Sequence, residues 1–358
     1  MKLLSSLLLV LGIFVKSQFT YPNVSIPDPL SKIDFDDEKE TINSAESIFI
    51  KNNKLKEFSK KGTFLGETHT EIKKLDIYGN ITYTLHSTEL PADHREAPLT
   101  SALVHIPENR KSEYKTVSDN SRIVSFYSER NGKIGVKTDV SYNNDNQIIK
   151  TENKDETNEY FYENGLLTKI LSKEKSFKRE SFFTCDSKGK LISIKSENTF
   201  PNGQKMVQSN TFKYDAAGNL ISNLQNSTMH GISEKKYVYQ KNKIVKYTHL
   251  MGNKVWDERL YEYNADHSLK KITKNKTDFG IITVSYKYAD GFLTEKIVGN
   301  DKKEAILSTL YFYDDQGRLI RIDHKQNNVI NALFTITHSK NKIAQTGLGY
   351  ESVYTFYE

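Results

Sequence analysis

One short pattern recurs along the chain at a nearly fixed interval. Its clearest copy runs from Leu310 to Ile322: aromatic residues at alternate positions, an Asp-x-x-Gly turn, and a second stretch that opens on a large aliphatic residue. We call the second aromatic position the slot. It recurs at steps of 24 or 25 residues in six copies, at Tyr214, Tyr239, Tyr263, Tyr288, Tyr313 and His338. A constant period in this range indicates a repeat architecture rather than a single globular core.

The distance from the slot to the following aliphatic residue predicts a β-hairpin. It is six residues from Tyr214 to Leu220 and five residues from Tyr288 to Leu293. A two-residue loop with primed turn geometry pairs the first position with the sixth, and a type I turn followed by a left-handed glycine pairs the first with the seventh. Both lengths therefore place the aromatic opposite the aliphatic residue on one face of a sheet.

The repeats become less regular toward the N-terminus. Tyr142, Tyr162 and Cys185 keep the spacing to an aliphatic residue but follow one another at uneven steps, and residues 76–81 and 128–134 resemble further copies. We therefore predict an all-β fold of tandem antiparallel β-hairpin repeats that form an elongated, curved sheet or an open β-solenoid. Residues 354–358 resemble the first strand of a further hairpin, which we expect to pair back on the preceding repeat as an end strand.

The N-terminal segments predict export. Met1 to Ser17 has a basic start, an apolar run and a small residue before Gln18, which is the pattern of a secretory signal peptide. No cysteine follows that run, so we do not expect a lipid anchor, and no later stretch is apolar enough for a transmembrane segment. The protein is expected in the periplasm, at the cell surface or in the medium.

The predicted domain organisation has four segments. They are a signal peptide (1–17), a leader with a possible short N-terminal helix (18–62), an N-terminal β region with degenerate repeats (63–139) and the regular hairpin repeats (140–358). Acidic residues near Asp36 and lysines near Lys60 would suit the two ends of a helix dipole. The run Ser47 to Ile50 is equally compatible with a strand.

Composition and charge narrow the functional classes. The 51 basic and 45 acidic residues give a formal charge of +6 that is spread along the chain, and no nucleic-acid-binding motif is present, so we expect no nucleic-acid partner. The single cysteine, Cys185, cannot form an intramolecular disulfide, and its slot position favours a buried small apolar residue over a reactive thiol.

The repeat resembles a known family. Tyr311 to Leu319 matches the pattern Tyr-x-Tyr-Asp-x-x-Gly-Arg-Leu in full, and Phe212 to Leu220 matches it nearly so. The pattern is similar to that of the YD-repeat (Rhs-type) family, and the resemblance extends over residues 140–358. Other copies depart from it, with Gln240, Asn264 or Ala289 in place of the aspartate and Asn242 or Ser268 in place of the glycine.

The resemblance implies a hairpin-repeat build. In large members of that family the repeats wind into a hollow shell around a toxin or form extracellular adhesion scaffolds. This chain has too few repeats to resemble a closed shell, and nothing after Ile343 resembles a toxin domain.

The motifs point to no catalytic, cofactor-binding or metal-ligating residue. His-Glu-x-x-His, Gly-x-Ser-x-Gly, P-loop and dinucleotide patterns are absent from the sequence. Asp186, Asp215 and Asp314 occupy the first turn position, where a carboxylate caps backbone amides, so we interpret them as structural. The acidic run from Asp34 to Glu40 lacks the spacing of a calcium loop.

Aromatic columns are the best candidate for a binding surface. Stacked hairpins would align their rings into a platform for a protein or glycan, whereas the competing and favoured interpretation is that the rings form the packed face of the sheet. The candidate residues are Tyr237, Tyr239, Trp256, Tyr261, Tyr263, Tyr286, Tyr288, Tyr311 and Tyr313.

Three functional hypotheses follow from the sequence. The favoured one is a non-catalytic exported scaffold or binding module with an unknown protein or glycan partner and no cofactor. The alternatives are a polysaccharide-acting hydrolase on a β-solenoid, which needs two nearby acids in a groove, and a toxin-associated or immunity partner in an Rhs-type system.

Overall fold

The fold is all-β. The computed structural model describes residues 29–32, 55–64, 67–75, 81–89, 110–119, 122–130, 133–277, 280–301, 307–327 and 329–356. Apart from a short 3-10 helix at Pro29–Lys32, the regular elements in these ranges are antiparallel strands, which confirms the predicted fold class. The predicted signal peptide lies outside the described residues.

The strands are β1 (Leu55–Phe64), β2 (Glu67–Leu75), β3 (Ile81–Glu89), β4 (Arg110–Asp119), β5 (Arg122–Arg130), β6 (Lys133–Tyr142), β7 (Ile148–Glu152), β8 (Glu156–Glu163), β9 (Leu166–Glu174), β10 (Lys178–Cys185), β11 (Leu191–Thr199), β12 (Lys205–Tyr214), β13 (Leu220–Ser227), β14 (Gly231–Gln240), β15 (Lys243–Met251), β16 (Lys254–Tyr263), β17 (Leu269–Thr277), β18 (Gly280–Ala289), β19 (Phe292–Asn300), β20 (Leu307–Tyr313), β21 (Leu319–Gln326), β22 (Val329–Ser339), β23 (Lys342–Gly347) and β24 (Tyr350–Phe356).

The contacts divide the chain into two units. Unit 1 comprises residues 1–33 and 140–258, and unit 2 comprises residues 34–139 and 259–358. In unit 1, strands β7 to β15 form a meander in which each strand pairs antiparallel with the next. Because every connection is a local hairpin, most pairings in this unit join residues that are close in sequence.

Unit 2 combines two meanders that are distant in sequence. Strands β1 to β6 pair in order, and so do β17 to β24. The two meanders are joined by the antiparallel pairing of β1 with β24. The last strand therefore pairs with the preceding repeat as predicted, but the expectation that it would be an end strand is wrong, because β1 covers its other edge.

Aromatic contacts hold the pairing of β1 with β24. Phe58 lies opposite Tyr354, with 4.9 Å between ring centroids. Gly62 lies opposite Tyr350, and a Cβ at Gly62 would overlap the Tyr350 ring. Gly62 thus allows the ring to lie directly on the neighbouring backbone.

The predicted N-terminal helix is wrong where the structure describes it. Residues 36–54 lie outside the described residues, but Leu55 to Lys60 form the start of β1. Residues 57–62 pair on one side with β2 and on the other with β24. Two ladders of interstrand hydrogen bonds outweigh the weak local helix preference of this lysine-rich segment.

The hairpin register agrees with the slot prediction. Cys185 lies opposite Leu191, Tyr214 opposite Leu220, Tyr239 opposite Ile244, Tyr288 opposite Leu293, Tyr313 opposite Leu319 and His338 opposite Ile343. Each of these pairs except the last follows a shift in register, and such a bulge increases the local right-handed twist.

The turn chemistry also follows the prediction. In the longer form, Gly218 and Gly317 have φ of 86° and 73°. In the shorter form, Asp290 and Gly291 both have positive φ, which is the primed geometry that matches strand twist. In the turn after Tyr263, the left-handed residue is His267 (φ 70°) rather than the neighbouring Ser268.

Candidate functional site

The predicted tyrosine columns lie on the face that carries the slot residues and their aliphatic partners, which we call the slot face. Four of these tyrosines are only 4–5% exposed: Tyr237, Tyr261, Tyr286 and Tyr311. The slot residues Tyr239, Tyr263, Tyr288 and Tyr313 are half-buried. Burial of the first column supports the packed-face interpretation of these rings, and a ligand-binding role for any of them remains a prediction.

Three slot tyrosines link successive hairpins through their hydroxyls. Tyr214 Oη donates to the backbone carbonyl of Leu191 at 2.8 Å, and Tyr313 Oη donates to that of Leu293 at 2.9 Å. Tyr162 makes the same bond to Ile148 at 2.8 Å. In each case the acceptor is the carbonyl of the aliphatic residue near the start of the second strand of the preceding hairpin. We call this contact the latch.

His338 replaces tyrosine in the last latch. Its Nε2 lies 2.8 Å from the Leu319 carbonyl, so the ring can donate the hydrogen bond that a tyrosine hydroxyl donates elsewhere. Sequence reasoning treated the slot as an apolar position and missed the latch. The available signal was that the slot contains mainly residues with a polar tip, whereas the position two residues earlier tolerates Phe212 and Ile336.

Burial raises the pKa of several slot tyrosines. Burial raises the pKa of Tyr313 to about 12, with the neighbouring Tyr311 and Tyr288 as smaller causes. Burial likewise raises the pKa of Tyr162 and Tyr239 to about 12. These hydroxyls therefore stay protonated over the physiological range, and those of Tyr162 and Tyr313 keep donating their latch bonds.

The interior of the slot face is aliphatic. In unit 2, Tyr311 packs with Leu319, Ile322, Ile336 and Ile343, which are all at most 7% exposed. These residues come from four successive strands, so burial depends on neighbouring hairpins rather than on one hairpin alone.

The turn aspartates act as caps, as predicted. Asp314 Oδ1 accepts hydrogen bonds from the backbone N–H groups of Gln316 at 3.0 Å and Arg318 at 2.8 Å. The Arg318 amide is the main cause that lowers the Asp314 pKa. Asp186 and Asp215 have the same arrangement and also a lowered pKa, led in Asp215 by the Asn219 side-chain amide.

A second contact between hairpins lies at the turns. The residue before the aliphatic position reaches over the turn of the next hairpin. Lys190 Nζ donates to the Gly218 carbonyl at 2.8 Å and lies 4.4 Å from the centroid of the Tyr214 ring. Phe292 occupies this position in unit 2 and contacts Tyr313, with ring centroids 5.0 Å apart.

Cys185 is half-buried in its slot. Burial raises the pKa of its thiol, with Asp186 as a smaller cause. A raised pKa disfavours the reactive thiolate.

The opposite face of the sheet, which we call the polar face, carries cross-strand pairs of lysine and glutamate. In unit 1, Lys169 Nζ lies 2.8 Å from Glu180 Oε1, and Lys205 Nζ lies 2.6 Å from Glu197 Oε1. Aromatic rings are also exposed here: Phe161 and Phe182 are each 44% exposed. Lys169 lies between them, 5.9 Å and 5.1 Å from the two ring centroids.

Trp256 is the most exposed aromatic side chain of the candidate set. It is 70% exposed, and strand alternation places it on the face opposite Tyr261, from which it is five residues away. Of the predicted candidates, Trp256 is thus separated from the tyrosines and belongs with the polar face. The exposed Phe161 and Phe182 were not predicted.

An open cavity lies at the edge of unit 1 opposite the turns that follow the slot residues. Its volume is about 600 Å³, and it lies between the β11–β12 and β13–β14 turns of unit 1. Its lining includes the apolar side chains Phe200, Pro201, Met206 and Met229.

Within the residues that the structure describes, no three or more His, Cys, Asp or Glu side chains form a group that could hold a metal ion. No helix in the same ranges is long and apolar enough to span a membrane.

Comparisons with known proteins give matches of low sequence identity and low TM-score. No protein family model matches the chain, and no curated protein matches it. Among solved structures, the chain is similar to a TcdB2–TccC3–TEV structure, with 12% identity, a TM-score of 0.28 and coverage of 79% of this chain. The match spans 18% of that larger chain.

Two further solved structures also match. A porin-like protein from Bacteroides uniformis has 9% identity and a TM-score of 0.25, with 85% of this chain and 96% of that chain covered. The periplasmic gluconolactonase PpgL from Pseudomonas aeruginosa has 8% identity and a TM-score of 0.12, with 75% and 99% covered.

Proposed function

We propose that this protein is a non-catalytic, exported repeat protein that binds a partner through the polar face of its hairpin sheet in unit 1. One observation carries the proposal. The slot face uses its rings and hydroxyls for packing and latches, whereas Phe161, Phe182 and Trp256 remain exposed on the other face. Exposed aromatic side chains with little internal role are typical of contact surfaces.

The hydrogen bonds of the turn aspartates support a structural role for these residues rather than a catalytic role in hydrolysis. Asp186, Asp215 and Asp314 each accept two or more hydrogen bonds from their own turn. A lowered pKa suits a permanent acceptor and does not suit a general acid, which must be protonated near neutral pH.

The proposal includes membership of the YD-repeat family as a short, degenerate member, and export to the periplasm, the cell surface or the medium. The full match at Tyr311 to Leu319 and the N-terminal pattern of Met1 to Ser17 support these two parts. Sequencing the N-terminus of protein recovered outside the cytoplasm tests export. We expect it to begin at Gln18, and an unprocessed N-terminus in the cytoplasmic fraction would contradict export.

The binding role can be tested with the chain's own fluorophore. Trp256 is the single tryptophan, so its emission reports on the polar face alone. We expect a ligand found on a glycan array or in a pull-down to change this emission, and to bind at least tenfold more weakly to a variant in which Phe161 and Phe182 are alanine. Met229→Ala, which changes the distant turn edge, serves as the control.

Two outcomes would overturn the proposed function. One is a ligand whose affinity is unchanged by the Phe161 and Phe182 substitutions. The other is turnover of a polysaccharide that Asp314→Asn abolishes while the fold is retained.

A further inference from the structure

We propose that a row of side chains across the polar face of unit 1 binds a linear anionic polysaccharide with an extended β-1,4-linked backbone, such as a chain of uronic acids. The inference rests on the proposed function and adds the chemical class of the partner. The row begins at Phe161 and ends at Ile232.

The row follows directly from the strand register. On β8 to β14, each member lies opposite the next, so the row crosses seven strands without an offset. Its members in order are Phe161, Lys169, Phe182, Lys195, Ser209, Asn226 and Ile232. Adjacent strands are about 4.8 Å apart, so the row is about 29 Å long.

The ring spacing suits alternate sugars of an extended glycan. Phe161 and Phe182 are two strands apart, which separates them by about 10 Å along the row. This distance is close to the disaccharide repeat of a β-1,4-linked chain. Both rings are exposed enough, at 44%, to present apolar surface to the C–H groups of a sugar.

Lys195 gives the row its charge preference, and Lys169 adds a second amino group that is already paired with a carboxylate. Lys169 and Lys195 alternate with the rings and are also two strands apart. Lys169 is paired with Glu180, but Lys195 is exposed and has no ion-pair partner among the described residues. Every sugar of an extended β-1,4-linked uronic acid chain carries a carboxylate, and successive sugars face opposite sides, so one edge of the chain presents one carboxylate per disaccharide. The alternation of ring and lysine along the row therefore matches that edge.

The second half of the row carries no charge and has two polar members before the apolar Ile232. Ser209 is half-buried and Asn226 is exposed, and they lie opposite each other on β12 and β13. Their hydroxyl and amide groups can donate to and accept from sugar hydroxyls. The row thus changes from aromatic and cationic to uncharged polar and ends on the exposed apolar side chain of Ile232, so its two ends differ and a bound chain has a direction.

The test measures binding of a hexamer of β-1,4-linked mannuronic acid by calorimetry, with cellohexaose as the neutral chain of the same linkage. We expect the wild-type protein to bind the mannuronate hexamer at least tenfold more tightly than cellohexaose. Phe182→Ala should weaken that binding by about fivefold to tenfold, and Lys195→Gln by about threefold to fivefold.

A matched lysine controls for charge and folding. Lys188 is exposed in the turn of the same hairpin as Lys195. Lys188→Gln removes the same charge outside the row and should leave affinity unchanged. Added salt should weaken binding to the wild-type protein more steeply than binding to Lys195→Gln, because screening removes an interaction that the variant already lacks.

Several results would overturn the inference: no binding of the mannuronate hexamer, equal affinity for cellohexaose, or equal effects of the Lys195 and Lys188 substitutions. If a different glycan or a protein then changed Trp256 emission and needed Phe161 and Phe182, the proposed function would stand without this inference. If no partner did so, both would fail.

Discussion

The two faces of the hairpin sheet use similar residues for different purposes. On the slot face, rings are buried or half-buried, and some hydroxyls donate to the neighbouring hairpin, as Tyr313 does to Leu293. On the polar face, rings such as Phe182 stay exposed beside lysines. The difference teaches that aromatic content alone does not reveal a binding surface in such a repeat, because the face determines whether a ring stabilises the fold or is available to a partner.

The largest expected difference between the faces concerns buried aliphatic volume. Ile170 on the slot face is 4% exposed, and Ile232 on the polar face is 53% exposed, both in unit 1. We expect Ile170→Ala to lower the free energy of unfolding by about 2–5 kcal/mol, and Ile232→Ala to change it by about 0.5 kcal/mol or less. Denaturant unfolding measures both, and equal effects would refute the assignment of the packed face.

The next comparison concerns hydroxyl groups. Tyr313→Phe removes the latch donor and leaves the Leu293 carbonyl without it, which we expect to cost about 1–2 kcal/mol of unfolding free energy. The control is Thr294→Val in the preceding hairpin, because its exposed hydroxyl donates to the Lys287 carbonyl at 3.2 Å. A Tyr313→Phe variant as stable as this control would show that the latch contributes nothing.

Alkaline pH should separate the two faces. Burial raises the pKa of slot tyrosines such as Tyr288 to about 12, above the ordinary value of 10.0. The stability they contribute is complete below pH 10 and is lost as pH rises through 12, because the unfolded chain releases these protons first. Each contribution is reduced by solvent screening, since the rings are only half-buried.

Tyrosinate absorbance during a pH titration measures this effect. A tyrosine introduced on the polar face by Phe161→Tyr should titrate near its ordinary pKa, while the slot tyrosines titrate later. If the introduced tyrosine and the slot tyrosines titrated at the same pH, the hydroxyl groups on the two faces would not differ in burial.

The smallest effect is expected for ion pairs on the polar face. Glu295→Gln removes the contact with Lys287 Nζ, which is 2.7 Å from Glu295 Oε2, and should cost about 0.5 kcal/mol or less. High salt should abolish even this difference. A loss comparable to that of Ile170→Ala would show that the polar face contributes to stability as strongly as the slot face.

Local features were predictable because they are encoded within a few residues. The pairing of Tyr214 with Leu220 follows from loop length, and the cap formed by Asp314 follows from turn chemistry. Both depend on contacts inside one hairpin, so the sequence pattern contains all the information needed.

Features that depend on contacts between hairpins were not predictable in the same way. The latch joins Tyr214 to a carbonyl 23 residues earlier, and the row from Phe161 to Phe182 depends on two separate registers. The strand at Leu55 to Lys60 needs partners from both meanders of unit 2. None of these partners lies within the local pattern, which explains the missed latch and the wrong helix.

The pairing of β1 with β24 has a consequence for the order of assembly. Individual hairpins can close as soon as their own residues are available, because each needs only local contacts. Strand β1 must instead wait for the last described strand before its second edge is covered. During that interval the free edge of β1 can pair with strands of other molecules. We therefore expect the folding of this segment to depend most on a chaperone and on the rate at which the rest of the chain emerges.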